Sequence, residues 1–185
     1  MTDRDRLPDP LPAVAALPRG AAVILREAKP ERRAALARRL APVCRARRLT
    51  LLIANDPRLA LISGAAGVHW SEAALKRRGR AAGQRPKPGW LMTAAAHSPA
   101  AVQRAARAGI DAVILSPVFA TASHPGRRAL GPLLFARFVR FAPLPVFALG
   151  GLTGAGARRL RHSGTAGFAA IGALTPGHRH SQRRG

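Results

Sequence analysis

The chain reads as short apolar runs separated by stretches of helical periodicity. The runs at 21–25 (AAVIL), 50–54 (TLLIA), 65–69, 90–93, 112–115 (AVIL), 145–149 and 166–171 are of strand length and apolar at successive positions. That is the pattern of strands covered on both faces. Between them Pro30 opens a helix at its first turn, Leu36, Leu40, Val43 and Arg47 fall at helical spacing, and arginines coat the outer face. Pro42 inside that helix predicts a kink. Further helices are expected over 10–17, over 57–62 with Gly64 ending it, from Ser71 as N-cap, from Ser98-Pro99 to Gly109, over 133–140 and over 153–162. The polar, basic segment 76–89 reads as a solvated loop.

Alternation of strand and helix gives right-handed crossovers and a parallel sheet. Seven strands are visible, and Met1-Thr2-Asp3 would suit the end of an eighth, although nothing apolar precedes it. The expected architecture is therefore α/β, a (β/α)8 TIM barrel over 1–175 with a truncated or missing first strand. The stub reads as a start placed downstream of the natural one. An open doubly wound sheet would want a glycine-rich phosphate turn after its first strand, and none is present. Residues 176–185 are expected to form a disordered basic tail.

Composition changes this picture little. No window approaches eighteen apolar residues and the N-terminus has no apolar core of a signal peptide, so a cytoplasmic protein is expected. The single Cys44 forbids an internal disulfide and reads as a small buried hydrophobe. The net charge of +23 is almost all arginine, without tyrosine or stacking aromatics set among the arginines. Salt-sensitive, non-specific nucleic-acid binding is the expectation, and a basic nucleic-acid-associated protein is the remote alternative.

Candidate chemistry gathers where strands end. In parallel-sheet proteins ligands bind beyond the carboxyl ends of the strands. There the chain places Arg26, Asn55-Asp56, the loop of Ser116, Thr121, Ser123 and His124, and the paired Gly150-Gly151. Asp56 precedes Pro57 and is placed either to cap a helix or to hold a cation. His124 could donate to phosphate or shuttle a proton. Asp111 lies at the amino end of its strand and reads as structural, as do His69 and His97. Beyond Pro57 the only carboxylates are Glu72 and Asp111, so paired-carboxylate catalysis and a two-metal carboxylate cage are not expected, and cations with backbone amides remain, which suits phosphate ligands.

With VILR (23–26), LLIANDPRLA (51–60), GAAGVHW (64–70), SPVFATASHPG (116–126), PVFALGGLT (145–153) and GTAGFAAIGAL (164–174) in this order, the chain resembles the thiamine phosphate synthase and thiazole tautomerase superfamily. The resemblance implies a transferase that joins hydroxymethylpyrimidine diphosphate to thiazole phosphate with release of pyrophosphate and with Mg2+. Its alternative is a thiazole tautomerase-like or non-catalytic relative that binds thiazole or thiamine phosphate. It further implies Arg26, Asn55 and His124 as catalytic positions. Thr121, Ser123, Gly150 and Gly151 would bind substrate, with Lys29 standing in for the lysine missing at Ala28, and Asp56 would hold the metal, with Glu72 standing in for the carboxylate missing at Ala74. Departures from the family pattern are Ala28, Ala74, Ala95, His124 and Gly172 at site positions, and Pro117 at the tautomerase histidine.

Overall fold

The computed structural model describes residues 1–121 and 128–171. The apolar runs form β1 (Ala22–Leu25), β2 (Thr50–Ala54), β3 (Gly67–Trp70), β4 (Leu91–Ala96), β5 (Ala112–Leu115), β6 (Val146–Ala148) and β7 (Gly167–Phe168). Strand order follows chain order, and β1 with β2, β4 with β5, β5 with β6 and β6 with β7 all pair in parallel. The helices are α1 (Leu11–Ala15), α2 (Pro30–Arg47), α3 (Pro57–Ile62), α4 (Glu72–Arg78), α5 (Pro99–Arg107), α6 (Gly131–Arg140) and α7 (Gly154–Arg159). This is the (β/α)8 class, with seven strands among the described residues. By contacts the described residues fall into two compact units, one holding Met1–Gly67 with Ala170 and Ile171, the other Val68–Ala169.

In the first unit β1 and β2 run in register from Ala22 opposite Thr50 to Leu25 opposite Ile53. Leu36, Ala37, Leu40, Ala41 and Cys44 of α2 are buried, and burial pushes the Cys44 thiol up, away from reactive thiolate. α2 is helical over all 18 residues, with Pro42 exposed on its outer side. The stub is only Met1 and Thr2. Thr2 donates its backbone N–H to Ile24 O at 2.9 Å, and the Met1 amine donates to Ala170 O at 2.8 Å. A small apolar hollow beside it is lined by Met1, Leu7, Val14, Leu17, Val23 and Ile171.

In the second unit β3 is buried throughout. His69 Nδ1 lies 2.9 Å from Thr93 Oγ1, a buried cross-strand pair that satisfies both polar groups. Trp70 corrects the reading of 76–89 as a solvated loop. Its indole N–H donates to Ala82 O at 2.8 Å, Arg78 lies 4.7 Å from the ring centroid, and α4 continues into a 3₁₀ turn over Gly79–Gly83 with Ala82 fully buried. A buried indole needs both cover and an acceptor, and this turn supplies them. β7 is only two residues long, shorter than the run at 166–171 predicts. Among the described residues no helix is long and apolar enough to cross a membrane.

Candidate functional site

The groups that follow the carboxyl ends of the strands are held in place by local caps and by bonds between successive βα units. After β1, Thr2 clamps the Arg26 backbone, its Oγ1 accepting from Arg26 N at 2.8 Å and donating to Arg26 O at 3.0 Å. The Arg26 side chain stands exposed, as does Lys29, which occupies the N-cap of α2. Between them Glu27 is tucked in, its side chain 4% exposed. It accepts the Lys29 N–H at 3.1 Å and pairs with Arg32 Nε at 3.1 Å. The Lys29 N–H, with the Arg32 charge behind it, holds the Glu27 carboxyl below its usual range.

After β2, Asn55 adopts a left-handed backbone at φ 58°, a conformation asparagine tolerates better than most residues. It turns the chain so that Asp56 caps α3, with Oδ1 accepting from Leu59 N at 2.9 Å. The other oxygen, Oδ2, accepts from Arg33 at 3.0 Å. Arg33 also donates to Glu27 O at 3.1 Å, while its Nε is buried and finds no acceptor among the described residues. Arg33 is thus a part of this region that the sequence does not single out. Its one signal is its place a turn after Pro30, lost among many arginines.

After β3, Ser71 Oγ caps α4 by accepting from Ala74 N at 3.2 Å. Glu72 turns toward the next strand end, where Oε2 accepts the His97 backbone N–H at 3.0 Å, with Arg104 3.8 Å from Oε1. His97 in turn reaches Ser116, with Nδ1 2.8 Å from Ser116 O and 3.2 Å from Ser116 Oγ. The sequence marks neither Glu72 nor His97 as a brace between loops, because the partners are distant in the chain. Asp111, read as structural, is so: it accepts from Met92 N at 2.7 Å and pairs with Arg85.

Gly150 and Gly151 have positive φ, 99° and 59°. A side chain on Gly150 would meet Pro117 Cα at 2.9 Å, and one on Gly151 would run into Ala120 O and meet Phe119 Cβ at 2.9 Å. The space beside these glycines is filled by the loop after β5, whose Val118 and Phe119 donate to Leu149 O and Gly150 O at 2.9 and 3.1 Å. They are required for two loops to touch, a packing role that goes beyond the substrate-binding one the resemblance implies. Thr153 caps α7, its Oγ1 accepting from Gly156 N at 3.1 Å. Thr121 follows the loop and is half-buried. Ser123, His124, Gly172 and the tail lie outside the described residues.

Magnesium, implied by the resemblance, meets a poor donor set. Asp56 is occupied by a helix N–H and a guanidinium, and Glu72 by a backbone N–H with Arg104 nearby. Position 74, where the family pattern has a carboxylate, is a buried alanine. The orphaned group beside Asp56 is an N–H donor, which suits an anion and repels a cation. Among the described residues no three His, Cys, Asp or Glu side chains are grouped to hold a metal. As they stand, Asp56 and Glu72 do not fit a carboxylate-held magnesium.

A family profile described as Thiamine monophosphate synthase matches residues 8–174. A thiamine-phosphate synthase of Parasynechococcus marenigrum is 36% identical over 145 residues, 77% of this chain and 40% of the relative. Another, of Methanoculleus marisnigri, is 39% identical over 126 residues, 67% of this chain and 59% of the relative. The chain spans less than two thirds of the length of both. Among solved structures, a thiamine phosphate pyrophosphorylase from Pyrococcus furiosus superposes with a TM-score of 0.72 at 22% identity, covering 93% of this chain and 83% of that one.

Proposed function

The chain belongs to the thiamine monophosphate synthase family, and from that premise we propose that it is a transferase joining hydroxymethylpyrimidine diphosphate to thiazole phosphate with release of pyrophosphate. The observation that carries the reading is that the family match spans the end of β1, where the exposed side chains include two cations. Arg26 and Lys29 both stand exposed directly after β1.

In this reaction the bond to the diphosphate breaks with its electron pair leaving on pyrophosphate, and a new bond to the thiazole forms. The negative charge that grows on the leaving group is what the site has to stabilise. Arg26 and Lys29 would take that charge, with Arg26 held at its backbone by Thr2. Asn55 would orient the diphosphate, and Thr121, with Ser123 and His124, would bind the thiazole partner. Gly150 and Gly151 serve that side by seating the loop that leads to Thr121. The reaction is assigned no step through magnesium.

The test is formation of thiamine phosphate and pyrophosphate by the purified, folded chain given both substrates. Product at a rate lost in Arg26→Ala is the expected result. A folded chain that makes none, while still binding thiazole phosphate in calorimetry, establishes instead the second reading, a non-catalytic binder. That reading is favoured by one observation: both candidate metal carboxylates already have protein partners.

A further inference from the structure

The parallel ladder between β4 and β5 ends at Ala96 opposite Leu115, with Ser116 N donating to Ala96 O at 3.1 Å as its last rung. One residue further on, a side chain takes over from the backbone. His97 Nδ1 lies 2.8 Å from Ser116 O, and a carbonyl oxygen can only accept, so Nδ1 carries the proton. The same N–H lies 3.2 Å from Ser116 Oγ, which shares it as an acceptor and keeps its own proton to donate. His97 is itself fixed from the other side, because Glu72 accepts its backbone N–H at 3.0 Å. The next residue, Ser98, caps α5 by accepting from Ala101 N at 3.2 Å. Beyond Ser116 the chain passes through Val118 and Phe119, bonded to Leu149 and Gly150, to reach Thr121.

We infer that His97 is a positioning residue for the thiazole side of the site: its Nδ1–H extends the β4–β5 ladder by one rung and fixes the start of the loop that leads to Thr121. It does not touch the reacting atoms in this role. Its contribution is to hold a loop in the geometry that binds substrate, for which small displacements are costly. The inference rests on the transferase reading for the identity of the substrate, while the rung itself stands on the geometry alone.

The chemistry of the ring supplies the test. An asparagine side chain can place its amide N–H where Nδ1–H stands, whereas a glutamine amide reaches toward the Nε2 position. His97→Ala and His97→Gln are therefore expected to raise the KM for thiazole phosphate about tenfold, a loss of about 1.4 kcal/mol, with the KM for the pyrimidine diphosphate unchanged. His97→Asn should stay within about threefold of the parent, as the retained N–H requires. Hydrogen exchange at the Val118 and Phe119 amides gives a readout independent of substrate. It should accelerate in the alanine and glutamine variants and not in the asparagine variant. Unchanged exchange in His97→Ala, an asparagine variant as impaired as alanine, or an equal rise in both KM values overturns the inference while leaving the transferase reading intact. A parent chain that neither turns over nor binds thiazole phosphate overturns both.

Discussion

Replacing Asp56 with alanine removes two interactions at once, and they can be separated. The cap of α3 is a 2.9 Å bond from Leu59 N to Oδ1, and loss of such a cap costs about 1 kcal/mol. The bond from Arg33 to Oδ2 is 3.0 Å long between side chains 18% and 26% exposed, sheltered enough that its loss should cost about 1–2 kcal/mol. Asp56→Ala is then expected to lose about 2–3 kcal/mol, and Asp56→Asn, whose amide oxygen can still cap the helix, about 1–2 kcal/mol. For a chain of this size each kcal/mol lowers Tm by roughly 2–4 °C, so the alanine variant should melt roughly 4–12 °C below the parent and the asparagine variant in between. Thermal unfolding followed by circular dichroism measures this. A double-mutant cycle with Arg33→Gln should return a coupling of about 1 kcal/mol or more. Asparagine and alanine variants that melt together, or an alanine variant that melts with the parent, would refute the reasoning and return Asp56 to the role of a carboxylate free for a metal.

Three further outcomes follow from the same geometry. Mn2+ added to the chain without any diphosphate should leave the free-ion paramagnetic signal unchanged up to about millimolar levels, because the carboxylates are engaged; micromolar uptake would contradict this. Gly151→Ala should cost about 3 kcal/mol or more, since it combines a φ of 59° with a clash into the loop at Phe119 and Ala120. Gly20→Ala, at φ 81° with nothing within 4 Å of the added carbon, should cost only about 1–2 kcal/mol, and equal losses in chemical denaturation would sink the packing argument. The Glu27 carboxyl has its folded pKa depressed, so its stabilisation is complete above the ordinary carboxylate range and fades as pH falls through it. The gap in unfolding midpoint between the parent and Glu27→Gln should accordingly be open at neutral pH and close in acid; a gap that widens in acid has the wrong sign.

Much of the fold was written in local patterns. The strands β2 and β5 are where uninterrupted apolar runs put them, and Ser71 and Ser98 cap helices as their positions before the helical stretches predict, while Thr153, expected inside its helix, caps it instead. What was not legible depends on partners far along the chain. Nothing near Arg33 distinguishes it from its neighbours until the fold brings Asp56 to it from 23 residues away. Gly150-Gly151 looks the same in sequence whether or not a loop packs against it, and only the approach of Pro117 and Phe119 shows that one does. The segment 76–89 is polar on average, yet Ala82 is buried because Trp70 requires an acceptor.

The contact between Met1 and Ala170 bears on the order in which the molecule assembles. It joins positions 169 apart, whereas the ladders pair close neighbours in the chain, such as Ala22 with Thr50 and Thr93 with Ala112. Closure entropy grows with the logarithm of loop length, so this contact costs roughly 1.6 kcal/mol more to close than the pairing of β1 with β2. Folding should therefore run outward from adjacent βα units, with the meeting of Met1 and Ala170 as its last event and their parting as the first event of unfolding. A pair of spectroscopic labels at these two positions would report a late, single step in assembly that no probe inside the individual ladders would see.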